Sequence, residues 1–343
     1  MKKAIFITGC LIFSTCSFLT NAQSHYKIVN KMKLAGDAGW DYIAVDDSTN
    51  MLYVSHGTMV QVVNLNTGKL AGTIDNTNGV HGIALAPDLN KGFISDGKDS
   101  AVTIFDLKTL ATITKVNVTG RNPDAIVYDN ISQRVITFNG RSSNATVLDA
   151  KTNMVVGSIA LPGKPEFAVA DGKGKVYVNI EDKNEVLQID AATMKVEQTW
   201  SLGMGEGPSG LSMDKKTRRL FSVCDNKLMV IMSADDGKIV TTIPIGEHVD
   251  AAGFDVKMNR VYSSNGDGTL TVVQEKDANT FTVLENVVTQ RGARTIAVNS
   301  KTHHIYLPTA EFGSAPEATK DKPHPKPSLK LGSFIIIDVA TIN

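Results

Sequence analysis

The hydrophobic and polar positions of this chain follow a pattern that recurs about every 42 residues. Each repeat begins with a short run of small and apolar residues, such as YIAVD, AIVYD or GLSMD, and six of the seven runs end on Asp or Asn. The chain has many Val, Ile and Thr residues, and helical periodicity is scarce, so each run predicts a β-strand. The predicted first strands of the seven repeats are 42–46, 82–86, 125–129, 167–171, 210–214, 251–255 and 295–299.

Each first run is followed by a polar turn and three further apolar runs. LYVSHG at 52–57 and VYVNIE at 176–181 are examples of the second run. The third and fourth runs flank another polar turn, as at 190–193. Four short strands per repeat are typical of a propeller blade. The sequence therefore predicts an all-β fold, a seven-bladed β-propeller that forms a single domain over residues 23–343.

The two ends of the chain complement each other. The last repeat stops after its third strand, FIIID at 334–338. The missing fourth strand is supplied by KIVNKMKL at 27–34, which resembles the fourth strand KIVTTIPI at 238–245. We expect the N-terminal strand to pair with the C-terminal blade, because this pairing closes the ring and covers two exposed sheet edges.

The first 22 residues have the features of a secretory signal peptide. Lys2 and Lys3 precede an apolar stretch, and the small residues Thr20 and Ala22 mark a cleavage site. The apolar stretch, about 16 residues, is too short for a membrane-spanning helix. The sequence thus predicts a bacterial periplasmic or secreted protein. A lipoprotein anchored through Cys10 or Cys16 is the alternative.

Two long segments carry a resemblance to a known family. LYVSHGTMVQVVNLNTGKLAGTI at 52–74 and VYVNIEDKNEVLQIDAATMKVEQTWSLGMGEGPSG at 176–210 resemble the YVTN-repeat β-propellers, in particular their YncE-like extracytoplasmic members. The resemblance covers essentially the whole chain after residue 22. It implies a propeller outside the cytoplasm and says little about activity, since propellers host many unrelated functions.

Charge and cysteine content narrow the possible partners. The 35 Lys and Arg residues balance 35 Asp and Glu residues, so the chain lacks the basic excess of a nucleic-acid-binding protein. No segment after residue 22 is apolar enough to cross a membrane, and Cys224 is the one cysteine outside the first 22 residues, which excludes an intramolecular disulfide. We expect a monomer whose partner is an unidentified protein or a small molecule.

The residues that precede the predicted first strands form the candidate site. In a propeller these positions line the mouth of the central channel, and here they are Asp41, His81, Asp124, Glu166, Ser209, Asp250 and Arg294. The flanking positions add Arg121 and His248. The predicted ligand-binding residues are Asp41, His81, Asp124, Glu166, Asp250, Arg294, His248 and Arg121. On the same face we expect the second-strand ends His56, Asp96, Asn139, Glu181, Asp225, Asn265 and Glu311.

Carboxylates and imidazoles at one channel mouth suit a divalent cation or acid and base chemistry. The alternative is a wet channel mouth whose polar side chains are only solvated. The absence of HxH and HExxH motifs disfavours a zinc or copper enzyme, and the absence of CxxCH disfavours haem. We assign no catalytic residue and leave the metal ligands open.

Two functions fit this sequence best, and an auxiliary redox or haem-handling propeller ranks last because CxxCH and clustered histidines are absent. The first is an exported scaffold, not an enzyme, that binds a ligand or a protein through its channel face. The second is a metal-assisted hydrolase or lyase, similar to a lactonase, built on the carboxylate ring. The Pro- and Lys-rich loop at 311–332 of the last blade emerges on the same face, which gives the hypothesis of a lid over the channel; a loose surface excursion is the alternative.

Overall fold

The structure is a computed structural model that describes residues 25–317, 325 and 327–342. The predicted signal peptide at 1–22 lies outside this part. Within it, the only helical segments are two 3₁₀ turns, Pro87–Leu89 and Glu181–Lys183. None of the described residues forms a helix long and apolar enough to cross a membrane.

The strands form seven four-stranded antiparallel sheets, which are the blades. The strands of blades 1 to 3 are β2 (Trp40–Asp46), β3 (Met51–His56), β4 (Met59–Asn64), β5 (Lys69–Ile74), β6 (Val80–Ala86), β7 (Lys91–Asp96), β8 (Ala101–Asp106), β9 (Thr112–Asn117), β10 (Pro123–Asp129), β11 (Arg134–Asn139), β12 (Asn144–Asp149) and β13 (Met154–Ala160). Those of blades 4 to 6 are β14 (Pro165–Ala170), β15 (Lys175–Ile180), β16 (Glu185–Asp190), β17 (Lys195–Ser201), β18 (Pro208–Asp214), β19 (Arg219–Cys224), β20 (Leu228–Ser233), β21 (Ile239–Pro244), β22 (Val249–Asp255), β23 (Arg260–Asn265), β24 (Thr269–Asp277) and β25 (Thr280–Val288). Blade 7 contains β26 (Ala297–Asn299), β27 (His304–Thr309), β28 (Ile335–Thr341) and the first strand of the chain, β1 (Tyr26–Lys33).

The Asp that ends most first strands holds the following turn. The Oδ1 atom of Asp214 accepts a hydrogen bond from the backbone N–H of Lys216 at 2.9 Å, and its Oδ2 atom accepts one from the Thr217 hydroxyl at 2.7 Å. Asp46 and Asp255 bond their turns in the same way. A short carboxylate satisfies turn N–H groups that lack a strand partner, which explains why Asp recurs at this position.

The core lies between adjacent blades. Tyr53 of blade 1 contacts Phe105 of blade 2 with ring centroids 5.8 Å apart, and Phe221 stacks on Phe254 of the next blade at 5.5 Å. The first strands of the blades, which are the inner strands of the propeller, approach one another closely where one of them has a glycine. A Cβ atom on Gly210 would lie 2.4 Å from the Cα atom of Ala251. Each blade therefore covers its neighbour, and the ring needs closure to cover every face.

Closure occurs as the sequence predicts. β1 pairs antiparallel with β28, from Tyr26 opposite Thr341 to Lys33 opposite Ile335. The strand order of blade 7 is β1-β28-β27-β26. The prediction of a seven-bladed β-propeller closed by its N-terminal strand is confirmed.

The first strands differ from their predicted limits. In blades 1 to 6 they begin two residues earlier, whereas in blade 7 the strand contains only Ala297–Asn299. The added residues of blade 1 contain a β-bulge: Trp40 pairs with His56 and Ile43 with Val54, so two residues oppose Ser55. The predicted ring residues of blades 1 to 6 are thus the second residues of the inner strands, inside the bulge.

Candidate functional site

Three of the predicted residues come together at the channel mouth. His81 donates a hydrogen bond from Nδ1 to Oδ2 of Asp41 at 2.5 Å, and the same nitrogen lies 3.7 Å from Oδ1 of Asp124. His81 also forms a hydrogen bond with the side chain of Asn122. One ligand atom from each of Asp41, His81 and Asp124 lies within 4.8 Å of the other two.

The histidine of this group is positively charged at neutral pH. Burial lowers the pKa of His81, but the hydrogen bond to Asp41 and the charges of Asp124 and Asp41 outweigh it and raise the pKa to about 9. Because Asp41 and Asn122 already form hydrogen bonds with the His81 imidazole, an ion at this site would have to displace one of these contacts. The group is therefore an ion pair.

We expect the His81 imidazole to titrate near pH 9 and to shift towards its ordinary value near 6.5 when Asp41 is replaced by Asn. Removal of the carboxylate takes away the largest of the interactions that favour the charged ring. Histidine-selective NMR across pH 5 to 10 measures both values. A histidine signal that titrates near pH 9 and is insensitive to Asp41→Asn would contradict the assignment.

A second group surrounds Glu166. Lys164 Nζ lies 2.6 Å from Oε1 of Glu166 and also contacts Glu181. Burial raises the pKa of Glu166, the nearby Asp124 carboxylate adds to this increase, and Lys164 partly offsets it. Burial likewise raises the pKa of Asp124, and His81 opposes that increase. Both carboxylates are therefore largely withdrawn from solvent.

Arg294 forms the third group. Its Nε atom donates to Oδ2 of Asp250 at 2.5 Å. Burial raises the pKa of Asp250, and the charge of Arg294 counteracts this. Among the described residues, no hydrogen bond or ion pair joins His248 to these groups; it is exposed and lies at a positive φ of 57°, near Asp225. Arg121 is exposed at the border of a cavity.

Several second-strand ends do not face the channel mouth. His56, Asp96, Asn139 and Asn265 are fully buried within their blades. His56 Nδ1 lies 2.9 Å from Oε1 of Gln61, and Asp96 accepts a hydrogen bond from the Thr103 hydroxyl at 2.6 Å. The expectation for these four residues was wrong, because the last side chain of the second strand points towards the third strand of its own blade. Glu181 does form an ion pair with Lys164, and the charge of Asp225 contributes to the raised pKa of Asp250.

The base of the channel mouth is closed by two aromatic side chains that the sequence analysis missed. The third residue of the inner strands is small in most blades, but it is Tyr42 in blade 1 and Phe167 in blade 4. Their rings meet edge to face, with centroids 5.0 Å apart. Burial, assisted by the surrounding carboxylates, raises the pKa of Tyr42 well above its ordinary value. The interruption of a small-residue pattern at these two positions was the available signal.

A cavity of about 700 Å³ opens over blades 1 to 3. Its wall includes Trp40 and the charged residues Asp41, His81, Lys98, Arg121, Arg141 and Arg294. The sequence analysis missed Lys98 and Arg141, which directly follow the glycines after β7 and β11. A separate cavity of about 420 Å³, lined largely by apolar side chains of the inner strands, includes Phe167. The polar cavity is the candidate functional site.

The last-blade loop borders this region at its base. Phe312 and Leu329 form an isolated antiparallel bridge, and the Phe312 ring lies 6.2 Å from that of Trp40. Gly313 N–H donates to the carbonyl of Ser328 at 2.9 Å. The base of the loop therefore packs beside Trp40 as a short ladder, while 318–324 and 326 lie outside the described residues.

Comparison with known proteins supports the fold. No family model matches the chain. Antigen Lp49 of Leptospira interrogans serogroup Icterohaemorrhagiae serovar copenhageni is 33% identical over 89 residues, which are 26% of this chain and 20% of that protein. The match thus spans about a fifth of the relative, and the resemblance to YVTN-repeat propellers stays a prediction.

Solved structures with little sequence similarity share the architecture. A chain of the mitotic checkpoint complex has a TM-score of 0.75 and 11% identity, with both chains fully covered. The WD40 repeats of RRP9 have a TM-score of 0.75 and 7% identity over 90% of this chain and 97% of the other. Hydrazine synthase of Kuenenia stuttgartiensis has a TM-score of 0.69 and 14% identity, covering 80% and 94%. This chain is a β-propeller with WD40-like structural neighbours.

Proposed function

We propose that this chain is an exported binding protein that holds a ligand in the polar cavity at its channel mouth. The observation that carries the proposal is the cavity of about 700 Å³ beside Asp41, His81 and Arg294. A concave site of this size with a few convergent polar groups is the usual form of a small-molecule site. The leader-like residues 1–22 support export to the periplasm or the cell exterior.

The charge state of His81 disfavours this residue as a general base. A general base needs a free lone pair near neutral pH, whereas His81 is protonated and bonded to Asp41 and Asn122. Arg294 and Lys164 are likewise engaged by carboxylates. The site is built of ion pairs that fix side-chain positions, which suits recognition of a ligand.

The metal-assisted hydrolase remains the second candidate. It is supported by the proximity of carboxylate and imidazole donors in Asp41, His81 and Asp124. Metal binding there requires His81 to lose a proton and to release Asp41 or Asn122. A divalent ion would then supply a Lewis acid next to the cavity.

A thermal-shift screen of the purified protein tests the proposal. The panel contains sugars, lactones, organic acids, nucleotides and divalent ions, with EDTA as a control. We expect at least one small molecule to raise the melting temperature, by several degrees at about 100 times its Kd, because it binds only the folded state. His81→Gln should abolish the shift. His304→Gln is the matched control, since His304 pairs with Asp338 at 2.7 Å elsewhere in blade 7.

The two functions predict different results. A shift caused by an organic ligand, unaffected by EDTA and lost in His81→Gln, supports the binding protein. A shift that requires a divalent ion, together with turnover of a lactone, supports the hydrolase. A panel without any shift, or shifts that His81→Gln retains, rejects binding at this cavity.

A further inference from the structure

The rim of the channel mouth is built from equivalent backbone contacts in successive blades. The residue after the second strand donates its N–H to a carbonyl just before the first strand. Examples are Gly97 to Gly79 at 2.9 Å in blade 2 and Gly140 to Asn122 at 3.0 Å in blade 3. Blades 5 and 6 repeat the contact from Asp225 and Gly266. The residues on either side of this bond therefore occupy comparable rim positions.

The charges at these rim positions separate by side. Blades 2 and 3 carry the cations Lys98, Arg121 and Arg141. Blades 4 to 6 carry the acids Asp182, Glu206, Glu247 and Asp267. Although the whole chain has a net charge of zero, the rim has a basic side and an acidic side.

The cavity lies on the basic side. Its wall contains five positive groups, the three rim cations with Arg294 and His81, and one negative group, Asp41, which leaves an excess of four. Asp124 and Asp250 contact His81 and Arg294 from outside this wall, and counting them reduces the excess to two. The cavity is positive in either count.

The three rim cations are available for a ligand. Within the described part of the chain, no ion pair engages Lys98, Arg121 or Arg141. The two arginines are neighbours, because Arg141 N–H donates to the Arg121 carbonyl at 3.3 Å and Arg121 N–H donates to the Ser142 hydroxyl at 2.7 Å. Two adjacent loops thus present guanidinium groups at one border of the cavity.

A further unused donor lies in the wall. Trp40 is 7% exposed, and its indole N–H has no acceptor among the described residues. A buried donor without an acceptor is unfavourable. An oxygen-rich ligand in the cavity offers such an acceptor.

We propose that this cavity binds a small organic polyanion, a molecule with two or more carboxylate or phosphate groups. Guanidinium groups recognise both oxyanions through paired N–H donors, which is the role assigned to Arg121 and Arg141. Lys98 and Arg294, from blades 2 and 7, attract a second anionic group. This inference rests on the proposed binding function and names its ligand class. It also disfavours a resident divalent cation, since the surrounding charge repels one.

Calorimetric titration of the purified protein tests the ligand class. The probes are citrate, succinate and pyrophosphate, with galacturonate and galactose as an anionic and a neutral sugar of similar size. A ten-residue oligothymidylate tests nucleic acid. We expect at least one polyanion to bind, galactose to be inert, and affinity to fall when sodium chloride rises from 20 to 200 mM, because exposed charges are screened over about 10 Å. Comparing the affinities for citrate and pyrophosphate shows whether the cavity prefers carboxylate or phosphate groups.

A charge-matched pair of variants places the binding. Arg121→Gln with Arg141→Gln should raise the Kd of the polyanion at least tenfold. Lys108→Gln with Lys151→Gln removes the same charge from the same two blades at turns on the opposite face, and it should leave the Kd unchanged. All four side chains are exposed, so both double variants should fold, which circular dichroism checks.

Each result decides between the possibilities. Equal weakening by both double variants, or equal binding of galactose and galacturonate, overturns the polyanion site. Binding of neutral compounds that His81→Gln abolishes, without any polyanion binding, rejects this inference and retains the proposed function. Oligothymidylate binding far tighter than that of every small polyanion assigns the basic side to single-stranded nucleic acid instead. If no compound binds, both proposals fail.

Discussion

Replacing Tyr26 with alanine should lower the free energy of unfolding by about 3 to 5 kcal/mol, the range for loss of a large buried aromatic side chain. Tyr26 is 1% exposed in β1 and packs edge to face on Tyr262 of blade 6. Its hydroxyl accepts a hydrogen bond from Arg260 at 2.6 Å. The substitution therefore weakens the closing strand and its contact with the neighbouring blade together.

Urea unfolding followed by the fluorescence of Trp40 and Trp200 measures this effect. Val29→Ala is the control, because Val29 lies in the same strand and is 45% exposed. That change should cost no more than about 0.5 kcal/mol, as is usual at surface positions. If Tyr26→Ala lowers the free energy of unfolding no more than about 0.5 kcal/mol, as expected for Val29→Ala, then β1 contributes little to closure.

Replacing Glu275 with glutamine should stabilise the protein above neutral pH. Glu275 is 2% exposed and stands where the preceding blades have Leu or Ala after the third strand, as at Ala234. The Thr217 hydroxyl oxygen lies 2.6 Å from Oε1 of Glu275 and 2.7 Å from Oδ2 of Asp214. One hydroxyl proton cannot serve two carboxylates, so the arrangement favours a protonated Glu275.

The sign of the effect follows from the raised pKa of this carboxyl group. Burial, with a contribution from the Asp214 charge, raises the pKa of Glu275 to about 7, and Thr217 and Arg219 oppose this. Between the unfolded pKa near 4.5 and the folded value, the folded state holds the extra proton. Stability is therefore greatest below about pH 4.5 as far as this group is concerned, and it falls as pH rises to 7.

Glutamine keeps the hydrogen-bonding shape and cannot ionise. We expect Glu275→Gln to raise the free energy of unfolding by about 2 to 3 kcal/mol at pH 8 and to change it little at pH 4.5, at about 1.4 kcal/mol per pKa unit. Urea titrations at the two pH values test this. Glu317→Gln makes the same change of charge at an exposed position and should have no such pH dependence. A gain that is equal at both pH values would point to packing instead.

The candidate site shows where reading the chain by blades succeeds and where it stops. The positions that the sequence analysis placed before the first strands include Asp41, His81 and Asp124, and one ligand atom of each lies within 4.8 Å of the other two. The same reasoning could not distinguish His56 and Asp96, which turn into their own blades. The alternation of residues along a strand indicates which face of the sheet each side chain belongs to, but a β-bulge changes that assignment. The position of the bulge depends on how the strand pairs with the next one.

The charge of the candidate site could not be predicted from the residues of the ring alone. The acidic residues of the ring suggested a cation site, yet Arg294, Lys164 and protonated His81 neutralise much of it. The basic side of the rim arises because Lys98 and Arg141 follow second strands while Arg121 precedes a first strand. Residues so far apart in the chain meet only when the blades are assembled.

The sequence by itself determined the number of blades, their strand order and the closure by β1, because each depends on local alternation, on turn residues such as Asp214 and on the complementarity of the chain ends. Only the tertiary structure decided that Tyr42 and Phe167 meet beneath the channel mouth and that the cavity above blades 1 to 3 is positive. Local patterns specify backbone pairing between near neighbours in sequence within each blade, and the matching chain ends specify the long-range pairing of β1 with β28. The chemistry of a cavity is instead a sum over side chains from several blades, and that sum requires their positions in space.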